Sequence, residues 1–137
     1  MSVKEKVVLD FVEIRNRLER LTLPEVDLVV GIATGGSVPA SLVAYKLGCP
    51  LAVMQLNYRA EDNTPQRPEP QLLTAFRPPN ARRVLLVDDV SVSGKTLAAA
   101  KKLLPHSRVV TLVLKGRADM VLFPEVASCV TWPWKAS

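Results

Sequence analysis

Arg83-Val84-Leu85-Leu86-Val87-Asp88-Asp89-Val90-Ser91-Val92-Ser93-Gly94-Lys95-Thr96-Leu97 decides the fold. Val84 to Val87 are apolar without alternation, the pattern of a strand buried on both faces of a parallel sheet. Two adjacent carboxylates follow. A short turn of Ser, Gly, Lys and Thr then opens into a Leu/Ala-rich helix. In open α/β sheets, ligands gather beyond the carboxyl ends of the strands. Free N–H groups at a helix start attract anions. The stretch therefore offers two acids and an anion cradle at one sheet edge, which suits a ligand carrying both sugar hydroxyls and a phosphate.

A nucleotide-triphosphate loop is the rival, because Gly94-Lys95-Thr96 is also the tail of G-x-x-x-x-G-K-[ST]. The leading glycine of that motif would occupy position 89, which is Asp89. A carboxylate there would repel the triphosphate that the loop exists to cradle.

The flanking sequence repeats strand and helix. Val3 to Leu21 places Val7, Val8, Phe11, Ile14, Leu18 and Leu21 near one face at helical spacing, which predicts a helix ending at Leu23-Pro24. Val26 to Ile32 predicts a buried strand, Val38 to Leu47 a helix with Pro39 in its first turn, and Leu51 to Leu56 a second strand. After Arg83 to Val87, a helix is expected over Thr96 to Leu104. Strands are expected over Arg108 to Leu114 and Val126 to Trp132. Between Asn57 and Arg82 no period survives, and Pro65, Pro68, Pro70, Pro78 and Pro79 crowd together, as in a functional lid or a disordered segment. The expected fold class is α/β: a doubly wound, mostly parallel Rossmann-like sheet with helices on both faces. One domain over 1–137 is expected, with a flexible loop at about 57–82 and a small C-terminal hood over about 115–137.

Composition agrees with a packed domain. The chain has 137 residues, 48% of them hydrophobic, and a formal charge of +5. No apolar run approaches a membrane span. The opening Met1 to Lys6 runs into a charged amphipathic pattern, so a secretion signal is not expected. Cys49 and Cys129 lack metal spacing and form no disulfide framework, which favours a reducing cytoplasm. His106, the single histidine, sits in a turn-like Pro-His-Ser and joins no constellation. The positive charge would serve a polyanionic small molecule. Nucleic acid is not expected, because no dense basic run with interleaved aromatics is present.

A second strand, Gly-rich turn and helix lies at Gly31-Ile32-Ala33-Thr34-Gly35-Gly36-Ser37-Val38-Pro39-Ala40. Adjacent glycines allow backbone N–H groups to face an anion at a helix start.

With an apolar strand, Asp88-Asp89, and then Ser93-Gly94-Lys95-Thr96, the chain resembles the type I phosphoribosyltransferases. The nearest in motif are the hypoxanthine–guanine and xanthine–guanine members. The resemblance implies transfer of the phosphoribosyl group of phosphoribosyl pyrophosphate (PRPP) to a nitrogenous base, with Mg²⁺ and in a homodimer. It gives Asp88 and Asp89 the ribose hydroxyls, with the same pair as candidate metal ligands. Val92, Ser93, Gly94, Lys95 and Thr96 would take the 5′-phosphate. Ala33, Thr34, Gly35 and Gly36 would take the pyrophosphate, together with Arg59 at the head of the Pro-rich loop. Arg67 and Arg77 lie further along that loop. Lys115, after the Val109 to Leu114 run, resembles the lysine that donates to a purine 6-oxo group. Aligned on Pro133-Trp134, the base-stacking aromatic of the family falls on Cys129. Trp132 is either its substitute or a core residue.

The family pattern breaks in two further places. The purine enzymes often carry Arg or Lys where this chain has Thr34. They usually carry Asp, placed to handle the purine N7 proton, where this chain has Val92. A valine can neither exchange a proton nor accept a hydrogen bond, so no catalytic acid or base is assigned. The resemblance therefore leaves two functions: a transferase, or a non-catalytic sensor of PRPP or a nucleotide that regulates a partner or RNA.

Overall fold

The computed structural model describes residues 6–57, 71–72, 76–77 and 80–135. Its centre is a six-stranded sheet. The strands, in chain order, are β2 (Leu28–Ala33), β3 (Leu51–Asn57), β4 (Gln71–Leu72), β5 (Arg83–Ser91), β6 (Arg108–Gly116) and β7 (Met120–Val121). They lie in the spatial order β4-β3-β2-β5-β6-β7, and only β4 runs antiparallel to its neighbour. A separate parallel pair joins β1 (Val7–Val8) to β8 (Val130–Thr131) near the chain's two ends.

Alternation along the central strands feeds two cores. Val29, Leu85, Val87, Leu112 and Leu114 face α1 (Phe11–Arg20) and α2 (Ser37–Leu47). Val30, Ile32, Val84, Leu86 and Val113 face α3 (Lys95–Lys102) with Leu97 and Ala100. Both sets are buried, which explains the unbroken apolar runs: a strand covered on two sides has no polar face to show. Helices on both faces of a mostly parallel sheet confirm the α/β, doubly wound class. None of the described helices is long and apolar enough to cross a membrane.

Several boundaries differ from the sequence expectation. The helix expected from Val3 starts at Phe11. Val7 and Val8 extend instead, and the Val7 N–H donates to the Cys129 carbonyl at 2.8 Å. Asp10 caps the helix: its carboxylate accepts from the Glu13 N–H at 2.9 Å, and Glu13 reaches back to the Asp10 N–H. That reciprocal cap fixes the start more strongly than the apolar period does. The strand expected over Val126 to Trp132 is only Val130–Thr131, and the last strand of the main sheet is Met120–Val121. The segment expected to lack any strand contains β4. The signature strand runs on to Ser91, so both acids belong to it and do not follow it.

Candidate functional site

The carboxyl edge of β2, β5 and β6 brings two predicted loops together. The turn after β2 folds tightly. Gly36 N–H donates to the Ile32 carbonyl at 2.7 Å and Ser37 N–H to the Thr34 carbonyl at 3.2 Å, and the Ala33–Thr34 peptide bond is cis. Thus Gly36 N–H, expected to face an anion, is held inside the turn. Among the described residues, Thr34 and Gly35 N–H have no backbone partner. The first turn of α2 carries no acidic side chain.

This turn leans directly on the two acids. A methyl group at Gly35 would stand 2.6 Å from Asp89 Oδ1. At Gly36 it would stand 2.6 Å from the Val87 carbonyl oxygen and 3.0 Å from Asp88 Cα. Both glycines are therefore required by close approach of the β2 turn to β5. The glycine turn and the acid pair are in direct contact.

The acids are tied to their own backbone. Asp88 Oδ1 accepts from the Asp89 N–H at 2.8 Å, and Asp89 Oδ1 accepts from the Val90 N–H at 2.7 Å. Asp88 is buried at 7% exposure, while Asp89 is half-buried. Burial first, and then the neighbouring Asp89 charge, push the Asp88 carboxyl well above the ordinary carboxylate range. Lys135 opposes this shift through its positive charge. Lys135 was missed from sequence, although it directly follows Pro133-Trp134.

Beyond Ser91 the chain turns through Val92, Ser93 and Gly94 into α3. Gly94 takes the left-handed conformation (φ 82°), and the Lys95 N–H donates to Ser93 Oγ at 3.3 Å. The first turn of α3 holds no carboxylate, so its outward N–H groups and the helix dipole stay favourable to an anion. Val92 is 63% exposed here, an unusual position for a large apolar side chain. Lys115 sits on β6 in register with Val90, at the same sheet edge and partly buried.

The C-terminal segment corrects one expectation. Trp132 is 2% exposed and belongs to the core. Its ring lies parallel to Trp134 at 5.4 Å and tilted to Phe123 at 6.4 Å, so it has no free face for a stacked base. Cys129 is exposed. Arg77 is exposed, whereas Arg59 and Arg67 lie outside the described residues. Among the described residues, no group of three metal-ligating side chains comes together. A cleft of about 210 Å³ between α1 and residues 123–126 is lined by Glu13, Arg17, Arg20 and Glu125, away from this edge.

Known proteins share this fold and part of this sequence. The chain is 39% identical over 77 residues to the transcriptional regulator GfcR of Methanothrix thermoacetophila, which covers 56% of this chain and 37% of the regulator. It is 31% identical over 93 residues to the xanthine-guanine phosphoribosyltransferase of Gluconobacter oxydans, covering 64% of this chain and 52% of that one. The chain thus spans between about a third and about half the length of these curated relatives. Among solved structures, a purine phosphoribosyltransferase from Pyrococcus horikoshii superposes with a TM-score of 0.78 at 23% identity, covering 96% of this chain and 95% of that one. A Neisseria gonorrhoeae protein with bound ppGpp superposes at 0.72 and 23% identity, over 99% and 92%. Those two likenesses establish the fold. The model of the phosphoribosyl transferase domain matches residues 15–116, from within α1 to the end of β6, and the chain belongs to that family.

Proposed function

We propose that the chain is a phosphoribosyltransferase that passes the 5-phosphoribosyl group of PRPP to a nitrogenous base and releases pyrophosphate. The supporting observation is the close approach of Gly35 to the Asp89 carboxylate. It sets a loop suited to pyrophosphate against a pair suited to ribose, across the bond that would break.

In this assignment Asp88 and Asp89 fix the ribose hydroxyls, and Val92 to Thr96 hold the 5′-phosphate with backbone N–H groups and hydroxyls. Ala33 to Gly36, with Arg59, receive the leaving pyrophosphate. Lys115 and Cys129 border the base. Little covalent work falls to such a site. Holding the sugar at both ends and stabilising the departing anion are what lower the barrier. The Pro-rich loop would exclude water, which otherwise attacks an oxocarbenium-like centre.

Mg²⁺ fits the donor set. This ion keeps several waters and binds through one or two carboxylates plus substrate phosphates, so a two-carboxylate edge suffices. When bound, it neutralises charge on the leaving diphosphate. Asp88 and Asp89 would hold it, directly or through water.

A second assignment has specific support. Val92 offers no proton-handling group, and the likeness to a transcriptional regulator spans 56% of the chain. A regulator could keep the PRPP site and lose the reaction. One assay separates the two: PRPP and Mg²⁺ with a panel of purines and pyrimidines, following pyrophosphate release. Turnover with any base supports the transferase. Silence across the panel with PRPP still bound supports the regulator, and absence of PRPP binding refutes both.

A further inference from the structure

The amino-terminal edge of the main sheet carries a second charged surface. Arg82 precedes β5, Lys101 and Lys102 end α3, and Arg108 opens β6; all four are exposed. Backbone contacts hold these segments side by side. Arg83 and Arg108 are register partners, the Arg108 N–H donates to the Arg82 carbonyl at 2.8 Å, and Ser107 Oγ donates to the Ala81 carbonyl at 2.5 Å. Arg83 is engaged by Asp27 at 3.2 Å and Glu25 at 3.5 Å. Arg82, Lys101, Lys102 and Arg108 have no ion pair among the described residues. Like charges on neighbouring strands repel, so this edge is a standing positive potential whose counterpart is a polyanion.

We infer that this edge binds the phosphate backbone of a nucleic acid. Protein–protein interfaces need an apolar centre ringed by polar groups. None of the exposed large apolar side chains among the described residues lies within 80–83 or 101–108. The same lack of an apolar anchor argues against a membrane surface. Nucleic-acid interfaces are polar, strongly positive and tolerant of a surface without apolar core. The edge lies about 17–20 Å along β5 from Asp88 and Asp89, counted from Arg83 at about 3.3 Å per residue. It is therefore independent of the PRPP assignment, and a ligand can occupy each end.

The test is fluorescence anisotropy with a labelled single-stranded RNA and a DNA duplex, each about 20 nucleotides long, between about 50 and about 200 mM salt. Four phosphate contacts to a single strand give a log–log salt slope of about −2.8, or about 50-fold weaker binding across that range. Neutralising three of them in K101A/K102A/R108A should bring the slope to about −0.7. R82Q/R108Q, which leaves α3 untouched, should bring it to about −1.4. Arg15→Ala, an exposed cation on α1, should leave binding unchanged. PRPP should not displace the nucleic acid. The RNA and DNA arms decide which backbone is preferred. No binding at the lower salt, variants that bind like the wild type, or displacement by PRPP would overturn the inference. Equal displacement by polyglutamate would assign the edge to an acidic protein and overturn it too.

Discussion

Gly35→Ala tests the candidate site at its tightest point. The added methyl would stand 2.6 Å from Asp89 Oδ1, about an ångström inside van der Waals contact. Gly35 is absent from the left-handed glycines, so alanine meets no backbone penalty there. Relief must come from the Asp89 side chain or from the turn, and either motion separates the two loops. If Asp89 accepts a hydrogen bond from a ribose hydroxyl, losing that charge-assisted bond removes about 1.5–3 kcal/mol. At about 1.4 kcal/mol per decade, PRPP binding should weaken by about 10- to 150-fold. The neighbouring Gly36→Ala is the control. Its methyl meets backbone at the Val87 carbonyl and Asp88 Cα, which cannot swing aside, so about 1–3 kcal/mol of stability should be lost.

Titration calorimetry with PRPP and Mg²⁺, beside thermal melts, distinguishes the pair. Gly35→Ala should lose affinity with a change in stability of about 0.5 kcal/mol or less. Gly36→Ala should melt earlier. If Gly35→Ala binds PRPP as tightly as the wild type, the Gly35–Asp89 contact is not at the sugar, and the ribose assignment falls.

Three further outcomes are expected. Asp88 binds its proton more tightly folded than unfolded, so its contribution to stability is full below the ordinary carboxylate range, near 3.8, and is lost as pH rises toward its folded value. Asp88→Asn should therefore raise the melting temperature of the ligand-free protein near neutral pH, with the gain vanishing in acid; a lower neutral melting temperature would contradict the burial argument. Asp10→Ala removes the reciprocal cap of α1 and should cost about 1 kcal/mol in denaturant unfolding, with Asp10→Ser recovering most of it. Glu125, hydrogen-bonded by Arg17, should titrate at about 2 by NMR and return toward 4.5 in Arg17→Met. Its stabilising contribution is present above 4.5 and fades as pH falls through about 2.

The parts of the fold legible in the sequence are those where burial is two-sided. Val84 to Val87 and Val109 to Leu114 need no partner to announce a central strand, and both lie where expected. The misplacements fall where a long-range partner overrides a local period. Val7 and Val8 match the helical spacing of α1, yet they pair with Val130 and Thr131, a contact invisible in local sequence. A local signal did exist: Asp10-Phe11-Val12-Glu13 has capping-box spacing and marks the true helix start. In the site, residue types announced the acids and the two turns. Their contact could not be read, because it depends on how closely β2 and β5 approach. The basic edge was hidden for a similar reason. Its cations come from three segments that only folding brings together, so no dense run appears along the chain.

Trp132 and Lys135 show how core and site are joined. Trp132 was a candidate to stack on a base, but its burial against Trp134 and Phe123 makes it an anchor for the C-terminal segment. The Lys135 N–H donates to the Trp132 carbonyl at 3.1 Å, so the anchored indole fixes the backbone from which the Lys135 side chain extends. That side chain supplies the positive charge that opposes the upward shift at Asp88. A buried carboxylate beside a second acid disfavours the folded state, and an amide of the same shape would avoid that penalty. An ionised acid would in turn accept from a hydroxyl more strongly than that amide could. The buried Asp88, the glycines that crowd the acid pair and the tryptophan stack that positions Lys135 thus bear on one sheet edge.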